Sequence, residues 1–146
     1  EPHLNIRKLQ PKDLNSLAAL YRQFRDEASD IECMLLKYKE LVEHPDYLFL
    51  CAVAETRIVG TVMGVVCHSL YGDCRPFLLM EDMVVDKTVH RQGIGSALMR
   101  RLEAFARDKH CTQILFITEN SRPQAVAFYE SLGYNAETHV GFKKKL

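Results

Sequence analysis

The 146-residue chain carries no excess of charge of either sign: 19 Lys and Arg stand against 19 Asp and Glu. A formal net charge of zero removes the broad field by which proteins gather nucleic acid or an anionic membrane. Lys143, Lys144 and Lys145 form only a short basic patch, read as a solvated strand end. No apolar run approaches the length of a membrane span, and no signal peptide opens the sequence. Glu1 rather than Met at the start suggests trimming, and the expected location is cytoplasmic. The five cysteines (Cys33, Cys51, Cys67, Cys74, Cys111) are odd in number and far apart, which argues for reduced core residues rather than a disulfide framework. The six histidines are scattered without metal-ligand spacing, so no metal is expected. Repeats, low-complexity tracts and linkers are also missing. What remains is one domain over residues 1–146, long enough to bury roughly two thirds of its unfolded surface.

The pattern along that domain alternates between two grammars. Leu4, Ile6 and Leu9 suggest a first strand, and Leu14, Leu17, Leu20, Tyr21 and Phe24 keep helical spacing after Pro11 and Asp13. A second helix is expected from Ile31 to Val42, after an acidic connection with Asp26, Glu27, Asp30 and Glu32. Continuous apolar runs follow, "YLFLCAVA" and "IVGTVMGVVCHSLY" around the turn Glu55-Thr56-Arg57, and "FLLMEDMVV" gives the next strand, ending at Val85. Ile94, Ala97, Leu98, Leu102, Phe105 and Ala106 predict a helix of about four turns. "ILFIT" reads as a strand, "PQAVAFYESLG" as a short helix, and the tail as one or two more strands. The sum is an α/β (α+β) fold, a mixed and mostly antiparallel sheet flanked by helices, with one parallel crossover from the fourth strand to the fifth.

Two glycines, Gly93 and Gly95, stand between that fourth strand and its helix. A P-loop would end in Gly-Lys-Ser/Thr, which is absent, and a dinucleotide fingerprint would need a small residue where Leu98 stands. The third reading is a longer loop whose backbone N–H groups, from about Arg91 to Ser96, face a pyrophosphate at a helix N-terminus. The competing reading is that the glycines only relieve crowding between loop and sheet.

"HRQGIGSAL" is similar to the Arg/Gln-x-x-Gly-x-Gly/Ala signature of the GNAT superfamily of N-acetyltransferases, and "AVAFYESLGY" resembles that superfamily's later helix. The resemblance covers nearly the whole chain and implies a GNAT-like acyl-CoA N-acyltransferase fold. It departs at the first signature position, where His90 replaces Arg or Gln, shifting phosphate contact toward backbone amides and Arg91. It implies acetyl-CoA as acyl-donor cosubstrate, held by Arg91, Gln92, Gly93, Ile94, Gly95 and Ser96, with main-chain groups of Met83, Val84 and Val85 along the cofactor arm. Asn120 resembles the family's polar residue that touches that arm. Tyr129 is implied as the acid that protonates the departing thiolate; the bland alternative is a core tyrosine on an apolar helix face.

Glu81, a carboxylate inside an apolar strand, is the candidate base or anchor for the amine, against the plainer reading of a solvated or Arg-paired acid. Strand alternation sets Glu81 and Asp82 on opposite faces. The expected reaction is acetyl transfer to a primary amine of a small molecule or peptide by direct attack in a ternary complex. The acidic connection could attract a cationic acceptor, or its acids could simply cap a helix. A noncatalytic acyl-CoA sensor, or an acyltransferase with another acyl chain or acceptor, is the alternative. Neither nucleic acid nor membrane is expected as a partner, and homodimers are common in the superfamily.

Overall fold

In the computed structural model, residues 3–90 and 92–146 are described, and the chain divides into two compact units, Glu1–Leu115 and Phe116–Leu146. The first unit is built on a five-stranded sheet in sequential order. Strands β1 (Leu4–Lys8), β2 (Tyr47–Ala54), β3 (Arg57–Cys67) and β4 (Phe77–Val85) pair antiparallel, and β5 (Ile114–Leu115) runs parallel to β4. The β2–β3 turn falls at Glu55 and Thr56, with Glu55 at φ 58°. Helices α1 (Leu14–Arg22) and α2 (Ile31–Leu41) lie between β1 and β2 in sequence, and α3 (Ile94–Asp108) between β4 and β5.

Each sheet face is covered for a reason visible in side-chain size. Leu14, Leu17 and Leu20, one turn apart along α1, bury with Cys51, Val53, Ile58 and Val84 in one core cluster. Burying each such leucine is worth about 2 kcal/mol. Helix α2 lies more shallowly: none of its residues is buried, and Tyr38 donates its hydroxyl hydrogen to the Leu9 carbonyl at 3.0 Å. On the opposite face α3 packs through Ile94, Leu98 and Leu102 close to the β3 backbone. A Cβ on Gly60 would stand 3.0 Å from Ile94 Cγ2, and one on Gly64 only 2.6 Å from Leu102 Cδ1. Gly60 and Gly64 of β3 therefore relieve crowding between the sheet and α3.

β4 contains the irregularity that matters most. Val84 faces Thr61, but Glu81 faces Met63, so Asp82 and Met83 together stand opposite Val62. This is a β-bulge, and Asp82 takes a left-handed φ of 54° to make it. The extra residue shifts the phase of everything beyond it. Leu78 shares the α3 face with Gly64, whereas Val84 joins the α1 cluster.

Three expectations change. "ILFIT" yields only the two-residue β5, because pairing with β4 is confined to Leu78 and Leu79. In the second unit, α4 (Pro123–Ser131) forms as expected, but no strand follows it. Val140, Phe142 and Leu146 stay exposed there, and alternation alone makes no strand without a partner to bond. All five thiols are free, yet only Cys51 is a core residue; Cys33 and Cys74 are exposed, and Cys67 and Cys111 are half-buried.

Candidate active site

The segment from β4 to α3 is shaped by local hydrogen bonds. Asp86 is buried, and its side chain accepts from the Thr88 N–H at 2.9 Å and the Thr88 hydroxyl at 2.8 Å. These bonds, the main-chain one first, overcome the effect of burial and hold its carboxyl below the usual range, with Arg57 pairing at 3.1 Å. A short 3-10 turn, Lys87–Val89, follows, and then His90, whose Nε2 lies 2.8 Å from the Val85 carbonyl. Arg91 lies outside the described residues.

Gly93 caps α3 with φ 78°, and among the described residues no side chain makes a capping hydrogen bond there. The first intrahelical bond runs from the Ala97 N–H to the Gly93 carbonyl at 3.0 Å, so the N–H groups of Ile94, Gly95 and Ser96 precede the helical ladder. They form the positive end of a fifteen-residue helix. A Cβ on Gly93 would meet nothing within 4 Å, so crowding does not explain that glycine; the left-handed turn does. Gln92 is exposed, while the Ile94 side chain is buried beneath the loop, leaving its amide as the group available to a ligand.

The sheet edge beside this loop is open. Beyond Leu79, no described strand pairs with β4 on the β5 side. Asp86 donates its N–H to the Val59 carbonyl across β3, so antiparallel alternation turns the main-chain groups of Val85 to the open edge and those of Val84 to β3.

The bulge also corrects the expected placement of the two acids. Asp82 and Glu81 share a face instead of taking opposite ones. Glu81 faces Met63, which in turn faces Phe49, on the side packed by α1 and α2. Asp82 pairs on that side with Arg25 at 2.9 Å. Tyr21, Arg25, Glu27, Ala28, Ser29 and Asp82 line a cleft of about 340 Å³ there. Burial, followed by the charge of Asp82, pushes the Tyr21 phenol well above its ordinary pKa. Glu81 is exposed and makes no ion pair among the described residues. In the acidic connection, Asp30 caps α2 by accepting from the Cys33 N–H at 3.1 Å, whereas Glu27 belongs to the cleft.

Asn120 and Tyr129 lie in the second unit, Asn120 in the turn ahead of α4 and Tyr129 on α4. The Tyr129 ring is half-buried against Phe116 (4.5 Å between centroids), Phe128 (5.1 Å) and Tyr134 (6.3 Å). Burial pushes its pKa up to about 12, and Arg122 opposes that shift. The phenol is therefore protonated throughout the neutral range.

Sequence reasoning missed Asp82, Arg25 and Tyr21. Asp82 left a signal, since aspartate is a poor strand former and a bulge is where it fits. Arg25 left none. Among the described residues, no cluster of His, Cys, Asp and Glu is placed to hold a metal ion, and no helix is long and apolar enough to cross a membrane.

The acetyltransferase (GNAT) family model matches residues 14–134. The uncharacterized protein YdhI of Bacillus subtilis (strain 168) is 34% identical over 76 residues, 51% of this chain and 44% of YdhI. The chain thus spans less than half the length of that relative. A putative acetyltransferase from Agrobacterium tumefaciens str. C58 superposes with a TM-score of 0.88 at 22% identity, covering 97% of this chain and 99% of the other. An aminoglycoside N-acetyltransferase in complex with CoA superposes with a TM-score of 0.83 at 18% identity, covering 99% and 96%. This chain belongs to the GNAT family of acetyltransferases, and its mixed five-stranded sheet with four described helices has the fold of that family's structures.

Proposed function

We propose that this protein is an acetyl-CoA-dependent N-acetyltransferase acting on a primary amine of a small molecule or peptide, by direct attack in a ternary complex. We further take residues 1–146 as one acetyltransferase domain; the family match supports this because it runs across the boundary between the two units. The observation that carries the function is the N-terminus of α3, where a left-handed Gly93 without a side-chain cap leaves successive amides for an anion. That donor set suits a pyrophosphate. The CoA-bound structural relative lends support at the level of the fold.

Acetyl-CoA supplies the activated acetyl group. Gln92, Gly93, Ile94, Gly95 and Ser96, together with Arg91, hold its pyrophosphate through backbone amides and the arginine charge. Met83 and Val85 offer main-chain groups to the cofactor arm, while those of Val84, expected there as well, turn to β3; Asn120 is assigned to the same arm. Main-chain N–H groups of β4 polarise the thioester carbonyl. Tyr129 is the acid that gives its proton to the departing sulfur, a role served by a phenol that stays protonated to about pH 12.

The cleft beside Asp82 receives the acceptor. Glu81, on the same face and exposed, takes the proton from the ammonium so that the neutral amine attacks, or as a carboxylate holds another cationic group of the acceptor. Glu27, Asp82 and Glu81 together outweigh Arg25, which favours a cationic acceptor. Thiol release from acetyl-CoA, followed against polyamines, aminoglycosides, amino acids and lysine peptides, with calorimetric CoA binding in parallel, tests the assignment. Turnover names the acceptor class. Tight CoA binding without turnover across the panel would instead point to a noncatalytic sensor, and no binding would remove the pyrophosphate assignment.

A further inference from the structure

We propose that His90 is a positioning residue for the cofactor loop, clamped between the ring of Phe24 and the carbonyl of Val85, so that the end of α1 fixes where the loop amides begin. The inference rests on reading that loop as a pyrophosphate site.

Four contacts carry it, all within the first unit. The Nε2 of His90 lies 2.8 Å from the Val85 carbonyl oxygen. A carbonyl only accepts, so Nε2 carries a hydrogen and donates it, which fixes the tautomer of the neutral ring. The imidazole stacks on Phe24, with centroids 6.5 Å apart and planes 20° from parallel. The Lys87 ammonium sits over the same phenyl ring, 5.1 Å from its centroid. The Lys87 N–H donates to the Gln23 side-chain oxygen at 3.0 Å.

Gln23 and Phe24 thus grip the segment at two points, Lys87 and His90, while His90 ties it back to the end of β4. The Val85 carbonyl faces the sheet's open edge, where no described strand accepts it into a ladder. His90 supplies the bond that a further strand would have made. It also leaves the chain extended at ψ 153°, entering the turn that ends at Gly93. The next residue along, Arg25, pairs with Asp82 of the bulge. Residues 23–25 therefore connect the loop and the acceptor cleft to one helix end.

The test uses the full chain and calorimetric binding of CoA, with thermal melts as a control. His90→Ala should weaken CoA by about tenfold, the worth of one well-placed hydrogen bond and its stacking. His90→Gln should recover most of that loss, because the Gln amide nitrogen reaches the position of the imidazole Nε2; His90→Asn, one bond shorter, should not. Phe24→Leu should weaken CoA as well, and the double variant Phe24→Leu/His90→Ala should lose no more than His90→Ala alone, since both remove the same clamp. Should the alanine variant fail to fold, the Gln and Asn variants carry the comparison. Wild-type affinity in His90→Ala, Gln no better than Asn, or fully additive losses would each overturn the clamp while leaving the acetyltransferase assignment intact. A wild-type protein that fails to bind CoA would overturn the pyrophosphate assignment, and the clamp with it.

Discussion

Replacing Gly93 by alanine separates backbone strain from ligand space. Gly93 sits at φ 78°, where an L-residue pays about 1–2 kcal/mol. Alanine recovers about 0.4–1 kcal/mol by restricting the unfolded chain. Beyond its chain neighbours, no described residue comes within 4 Å of the new Cβ, so no steric cost is added. The net loss should be about 1 kcal/mol, a fall of roughly 2–4 °C in melting temperature for a chain of this size. CoA affinity should also fall, by about tenfold or more, if the open space over Gly93 is where the pyrophosphate lies. Gly93→Asn sharpens the comparison. Asparagine tolerates the left-handed region, so the melting temperature should return toward wild type while the side chain still fills the space. Calorimetry with CoA and a thermal melt on the three proteins decide the matter. If Gly93→Ala melts a few degrees lower and binds CoA with wild-type affinity, the glycine serves the turn alone and the pyrophosphate reading is wrong.

Four more outcomes follow from the same geometry. Tyr129→Phe should cut kcat by about 10²-fold or more and abolish the alkaline fall of activity expected of the wild-type protein once the phenol, its pKa pushed up to about 12, loses its proton; unchanged turnover across pH would return Tyr129 to a packing role. Glu81→Gln should lower kcat, whereas unchanged turnover would move the base elsewhere. Gly64→Ala should destabilise the fold by about 1–3 kcal/mol, because its Cβ would lie 2.6 Å from Leu102 Cδ1 and that side chain is wholly buried; a melt equal to wild type would show that α3 can retreat from β3. Asp13→Asn should cost about 2–3 kcal/mol at neutral pH, since Asp13 accepts from Arg7 at 2.7 and 2.9 Å and from the Gln10 N–H at 2.7 Å. Burial raises the Asp13 pKa, but Arg7 and Gln10 together bring it below the usual carboxylate value. Its contribution is therefore present above the unfolded pKa and lost as pH falls through the lower folded value, so wild type and variant should converge in stability on acidification.

The elements legible in the sequence are those whose signal is local. Leu14, Leu17 and Leu20 repeat at helical spacing, and α1 forms there; "FLLMEDMVV" is apolar apart from Glu81 and Asp82, and β4 occupies all nine of its residues. The loop ahead of α3 could also be located from its two glycines, because a left-handed residue before a helix leaves a mark in composition. Pairing leaves no such mark. Whether Phe116 to Thr118 or Val140 to Leu146 bonds as a strand depends on a neighbouring edge, and apolar content predicts only that the chain could extend.

The register of β4 shows why that distinction reaches the chemistry. Alternation along an isolated strand puts Glu81 and Asp82 on opposite faces, and from sequence only one of them could serve a site. The partner strand decides otherwise: Thr61 takes Val84 and Met63 takes Glu81, leaving one residue of β4 in excess. Asp82 absorbs the excess at φ 54°, and both carboxylates come to the face covered by α1. The bulge therefore does two things at once. It interrupts the ladder where β4 loses its β5 neighbour, and it turns an acid into a cleft that already holds Arg25. Filling the place of Val62 with two residues would restore even pairing, send Asp82 and Val84 back to the α3 face, and remove the charge partner of Arg25. A polar pair at the site and a buried valine in the α1 cluster are thus consequences of the same single residue of slack.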